Sequence, residues 1–278
     1  MQRVFRLGFF FLWPLLTGLA VISPTQHNQS QETEPSELSM KTAGMQEEWL
    51  GVYQSEEKVG YLHRRLIPAK IGYEWEEHWW LGFRRSNETH LTHTEVHARA
   101  DQACALTSFS LWSSGVGTAL YIKANVINQS ASRQIIQGES INDGEATPFA
   151  VSLSLPLHLP PLCQMAIPIA SRPGASREFS VFNPLSLQAE TVSLVTLGSE
   201  TIDLHGHSHV ATKLASVMND VAFYVWLDKE GRTLKEEIAP GVILQQENQE
   251  FATKGLWQKR GFTLPISTTD SPDSSVAE

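Results

Sequence analysis

Apolar and polar residues alternate with a period of two through most of this chain, and that restricts its fold more than any other feature. Near residues 73–83, Tyr73, Trp75, Trp79, Leu81 and Phe83 fall on one parity. Glu74, Glu76, His78 and Arg84 fall on the other, with Trp80 and Gly82 as exceptions. Successive strand side chains point to opposite faces, so this spacing predicts a half-buried strand with a heavily aromatic face. Val221, Phe223, Val225 and Leu227 repeat the pattern against Tyr224 and Asp228. Asp228-Lys229-Glu230-Gly231 reads as a turn and residues 232–238 as the returning strand. Further strands are predicted over 49–53, 58–66, 90–99, 105–113, 117–125, 133–137, 178–182, 190–197 and 207–218.

Most connections are short and carry Gly, Asn, Asp or Ser, the chemistry of hairpins rather than of strand–helix–strand units. Helix is expected only over 155–166, between prolines, and over 246–254. The fold class is therefore mainly β. We expect a large curved antiparallel sheet, an open half-barrel or sandwich-like, with one or two short helices. At 278 residues, with 41% hydrophobic and 18% charged residues, the chain has enough apolar material for a core.

The ends differ from the middle. Arg3 and Arg6 precede sixteen uncharged residues, 7–22, which are short for a membrane span and suit a secretory signal peptide. Retention of the run as an N-terminal anchor is the alternative. Residues 23–44 are polar and read as a disordered linker, residues 45–262 as a single β-rich domain, and residues 263–278 as a flexible tail. The expected location is outside the cytoplasm: periplasmic, or anchored to the inner membrane and facing the periplasm. Membrane contact is expected only through the N-terminal segment if uncleaved. A formal net charge of −9 argues against a nucleic-acid binder that works by a basic surface.

Candidate chemistry is thin. Cys104 and Cys163 are the only cysteines, and no Cys-x-x-Cys pair exists. In an exported chain they pair as a disulfide or stay as two buried thiols. Neither lies in a recognisable nucleophile motif. His205, His207 and His209 alternate and would share one strand face, but that face continues with Ala211 and Lys213 and reads as the wet side. His93 and His97, with Glu95 between them, share a parity too, yet a strand does not bring i and i+4 residues together. We assign no metal. Glu76-Glu77 and Glu236-Glu237 place neighbours on opposite strand faces and read as solvated charge. No Gly-x-Ser-x-Gly elbow, Walker loop or dinucleotide fingerprint occurs. No catalytic residue and no cofactor are assigned.

Several segments in order carry a resemblance. They are Glu48-Trp49-Leu50-Gly51-Val52-Tyr53 with Lys58-Val59-Gly60-Tyr61, then residues 101–110, then Val181-Phe182-Asn183-Pro184-Leu185. The last is Tyr224-Val225-Trp226-Leu227-Asp228-Lys229-Glu230-Gly231-Arg232, running on to Gly241. Together they resemble the β-rich N-terminal accessory region of exported bacterial transglutaminase-like proteins, over residues 45–252. In that family a separate papain-like domain with a Cys-His-Asp triad follows this region. No Cys follows Cys163 here, so the resemblance implies the accessory region without the catalytic domain. The matching residues are expected to be structural. Gly60 and Gly231 would serve tight turns, Trp49, Tyr61 and Trp226 would be large apolar fillers, and Asp228 would close a turn through its own backbone.

Two functions follow as expectations. The first is a non-catalytic envelope domain that binds a protein partner, in the family's setting a transglutaminase-like enzyme. The alternative is a periplasmic carrier or sensor of a lipid-like apolar ligand. Tyr73, Trp75, Trp79, Leu81 and Phe83 would then line its groove, with the apolar 149–169 stretch. A carrier needs an open apolar cavity; an interaction module needs a filled core and an exposed patch.

Overall fold

A computed structural model of the chain describes residues 45–85, 88–115, 118–130, 133–142, 144–153, 156–158, 172–184, 186–219 and 221–254. The expected signal segment, linker and tail, Cys163, and most of the helix expected over 155–166 lie outside the described residues.

Among the described residues the period-two pattern becomes fifteen strands in one sheet. The first eight are β1 (Gln46–Gln54), β2 (Glu57–Pro68), β3 (Tyr73–Arg85), β4 (Glu88–Ala100), β5 (Leu106–Gly115), β6 (Thr118–Ser130), β7 (Arg133–Asn142) and β8 (Glu145–Leu153). The rest are β9 (Leu157–His158), β10 (Ser176–Asn183), β11 (Gln188–Leu204), β12 (His207–Met218), β13 (Val221–Leu227), β14 (Thr233–Ala239) and β15 (Val242–Glu247). A short helix α1 (Gln249–Thr253) follows, its N-terminus capped by Asn248, whose side-chain oxygen accepts from Phe251 N at 2.8 Å.

The spatial order is β8-β7-β6-β5-β4-β3-β2-β1-β15-β14-β13-β12-β11-β10-β9. Two meanders, β1–β8 and β9–β15, therefore meet at the single ladder between β1 and β15. Neighbours pair antiparallel except β9 with β10. The sheet then rolls up, as twisted sheets of many strands do. Phe182 on β10 packs against Phe109 on β5, ring centroids 5.4 Å apart, and against Phe149 on β8 at 6.1 Å. An isolated bridge joins His158 on β9 to Ala105, just before β5. The β9–β10 end of the sheet thus comes back against β5 and β8, with no ladder to the β8 edge among the described residues. The sheet is a rolled, unclosed barrel.

The inner face holds the core. One cluster joins β2–β8 to β9 and β10 and includes Leu66, Trp75, Val96, Phe109, Ile122, Ile136, Leu157 and Phe182. A second joins Leu50, Leu62, Trp79, Leu81, Ile238 and Leu244. A third fills the space under β10–β13.

Several expectations are corrected. The helix expected from residue 155 begins instead with β9 at Leu157, and the one expected from 246 begins at Gln249, because β15 extends to Glu247. Strand β8 escapes the pattern because Pro148 and a mostly exposed composition disguise it; proline is tolerated there because β8 is an edge. Gly60 serves no turn. It lies inside β2 opposite Leu81, where a Cβ would stand 2.1 Å from the Trp80 carbonyl oxygen. Trp49 is only half-buried and lies on the outer face. Gly231 does occupy a turn, with φ of 84°. Asp228 Oδ1 accepts from the backbone N–H of Glu230 at 2.8 Å and of Arg232 at 2.9 Å, which closes that turn. Tyr61 and Trp226 are buried.

Trp226 sits between Lys213 and Lys235, whose ammonium groups lie 4.6 and 4.7 Å from its ring, and its indole N–H donates to Glu200. Trp226→Ala should cost about 3–5 kcal/mol in urea unfolding. Gly60→Ala should cost about 1–3 kcal/mol, since the methyl meets backbone rather than a movable side chain. A Gly60→Ala protein with unchanged midpoint would show that β2 and β3 separate freely.

Candidate functional site

The residues expected to line a groove are mostly interior. Trp75, Trp79 and Leu81 have 4–5% of their surface exposed and belong to the core clusters, while Tyr73 packs against the first cluster as a partly buried ring. The side chain of Phe83 lies outside the described residues.

The same face carries charge that the sequence reading placed in solvent. Glu77 and Glu236 are 8% exposed, Glu48 7% and Arg64 5%. Glu48, Arg64 and Glu77 stand directly opposite one another on β1, β2 and β3. Arg64 Nε donates to Glu48 Oε2 at 2.7 Å, its Nη2 donates to Thr233 Oγ1, and its Nη2 lies 2.8 Å from Glu236 Oε1. The other oxygen of Glu48 accepts from Thr233 N at 2.9 Å, and Trp79 Nε1 donates to Glu77 Oε2 at 3.2 Å. One guanidinium therefore ties β1, β2 and β14 together inside the barrel. Burial by itself disfavours its charge, but Glu236, Glu48 and Glu77 outweigh burial and hold it protonated. Glu77 has the opposite balance. Burial raises its carboxyl above the ordinary range, against the pull of Arg64 and the Trp79 hydrogen bond.

The outer face of β1–β5 carries a belt of rings. Trp49, His63, His78, Glu95, Trp112 and Tyr121 stand opposite one another in a single row across β1–β6. Trp49 stacks on His63 at 3.9 Å, His63 on His78 at 6.0 Å, and His78 on His93 at 6.3 Å. Trp80 stacks on His93 at 3.6 Å, and Trp112 meets His93 edge-on at 5.2 Å. His63 Nε2 shares a 2.7 Å hydrogen bond with Glu47 Oε1, and Arg65 pairs with Glu76. Burial pushes the His93 ring down to about 4 despite the neighbouring Glu95 carboxylate, so it is neutral at pH 7. Its Nε2 is sealed from solvent and makes no hydrogen bond, although Glu95 Oε1 is 3.3 Å away. The signal for this belt in the sequence was Trp80, the aromatic exception on the polar parity.

The other candidates separate. His205 lies in the β11–β12 turn with φ of 53°, so only His207 and His209 share a strand face, and these are exposed and half-exposed. His93 and His97 lie on one face of β4, with His97 Nδ1 3.9 Å from Glu76 Oε1. Cys104 is a buried free thiol, pushed up to about 11 by burial and by Asp101; that is the wrong direction for a nucleophile at neutral pH. Its proposed disulfide partner, Cys163, lies outside the described residues.

No protein-family model and no curated protein matches the chain. A crystal structure of a beta-barrel-like protein of domain of unknown function DUF1849 from Brucella abortus is similar in fold. Its TM-score is 0.51 at 7% identity, over 73% of this chain and 97% of that one. At that identity the likeness establishes a barrel-like β architecture and no activity.

The buried cluster makes two predictions. Arg64→Met should cost about 3–5 kcal/mol, because it strands buried carboxylates. Glu77 with a raised folded-state pKa stabilises the fold when protonated, and that contribution is lost as pH rises through the raised value. Replacing it by Gln removes the loss. Urea unfolding should therefore show Glu77→Gln gaining on the parent protein as pH rises above the ordinary carboxylate range; a constant difference would mean that Glu77 titrates like a solvated carboxyl.

Proposed function

We propose that the chain is a non-catalytic, exported binding domain that docks a protein partner of the cell envelope through the outer face of β1–β5. One observation carries this reading. The aromatic face expected to form a ligand groove is spent on the core, whereas a second set of rings, Trp49, His63, His78, Trp80, His93 and Trp112, is only partly buried on the outside. Large flat rings with polar edges at solvent suit protein contacts, because they offer area with few rotamers to fix. The uncharged run at residues 7–22 behind Arg3 and Arg6 supports export. The resemblance to the accessory region of transglutaminase-like proteins supports an envelope partner, such a separately encoded enzyme being the first to test.

Native mass spectrometry of the mature protein, isolated from its host's envelope without denaturing extraction, tests the reading. The expected result is a protein-mass adduct that Trp112→Ser abolishes while the melting profile stays cooperative. A lipid-mass adduct that survives Trp112→Ser would overturn it and make the chain a carrier.

A further inference from the structure

The belt contains a feature that docking does not require. His78 on β3 and Glu95 on β4 stand directly opposite each other, and His93 precedes Glu95 by two residues on the same face of β4. A residue pair at i and i+2 on one strand, plus the cross-strand neighbour of one of them, converges on one point. His78 Nδ1 lies 3.6 Å from Glu95 Oε1, and His93 Nε2 lies 3.3 Å from the same oxygen. The three residues each offer one ligand atom, and these atoms all lie within 4.8 Å of one another.

Zinc holds imidazole nitrogen and carboxylate oxygen at about 2.0–2.2 Å, so two ligands of one tetrahedral ion sit roughly 3.4 Å apart. The separations of 3.3 and 3.6 Å bracket that value. A second observation is independent of the spacing. His93 Nε2 is a buried polar atom without a hydrogen bond, and such atoms in native folds need an account. A lone pair held for a cation supplies one.

We propose that His78, His93 and Glu95 form a binding site for a divalent first-row transition ion of the zinc type. Two imidazoles and one carboxylate suit such ions rather than calcium or magnesium, which take oxygen ligands. Three protein ligands leave a fourth position to water. The surroundings hold the ligands in place. Trp80 stacked at 3.6 Å fixes the plane of His93, Trp112 closes one side of it, and His63 stacks on the far face of His78. Such outer contacts orient ligands and keep them from rotating away. The site does not rest on the docking reading, since it uses no group from a partner.

The test is titration of Zn²⁺ into metal-stripped protein without a histidine tag, read by calorimetry. One equivalent should bind to the parent protein and, unchanged, to a variant with His205, His207 and His209 all replaced by Gln. Outer-shell changes alone typically weaken metal sites 10–100-fold. His93→Gln or Glu95→Gln should therefore weaken binding by about 100-fold or more. No saturable uptake, or uptake that survives both single variants, would overturn the site. Should those variants fail to fold, histidine ¹⁵N NMR of the parent protein decides. Ring nitrogens of His78 and His93 should shift together with one equivalent of zinc, and shifts confined to other histidines would refute the assignment.

Discussion

The ladder between β1 and β15 is the contact on which the barrel depends. Among the described residues it is the one strand ladder that joins the outgoing meander β1–β8 to the returning meander β9–β15. The residues it pairs lie at opposite ends of the folded region, so it forms only after the largest loop-closure entropy has been met. The structure reinforces it accordingly. The Tyr53 hydroxyl donates to Glu247, and Lys58 Nζ reaches Glu247 Oε2 at 2.5 Å and the Phe251 carbonyl at 2.6 Å. Burial is the largest reason that Tyr53 ionises only well above its ordinary range, with the Glu247 carboxylate adding to it. Beneath the same seam, the Arg64 guanidinium crosses the interior to Thr233 and Glu236 on β14.

That interior arrangement sets what the two faces of the sheet are for. A barrel this size needs its inner face filled, and Trp75, Trp79 and Leu81 fill it with Arg64 and its carboxylates between them. Buried ion clusters of this kind contribute register more than stability: replacing all members by apolar groups can be neutral, while removing one is costly. Here each carboxylate lies on a different strand, so a slip of any one by a single residue would put a charge against solvent and a polar gap in the core. With the inside committed to packing, the ring belt across β1–β5 lies on the outside.

Much of the fold was legible in residue order. Alternation located most strands, and Asp228-Lys229-Glu230-Gly231 announced its turn, because both signals are local. Strand β11 ran longer than its pattern because a bulge at Gly198 changes the parity partway along. The candidate site was hardly legible. Glu77 shares the parity of Trp75 and Trp79, so its burial could have been read from the same alternation that identified the aromatic face. Glu236 and Arg64 gave no such warning, since a charged residue on an inner face looks local only when its partner is near in sequence, and these partners are 172 residues apart by number.

The sequence alone determined that the chain forms β-strands, where most begin, and which parity of each is apolar, since strand geometry fixes side-chain direction residue by residue. The tertiary structure decided the rest. It chose a rolled sheet over a sandwich, because the meeting of Phe182 with Phe109 and Phe149 depends on the accumulated twist of many strands. It chose core over groove for Trp75, Trp79 and Leu81, because burial is a property of what covers a face and not of the face. It also brought His78 to His93 and Glu95, because register between strands, unlike direction along one, is settled only when the strands pair.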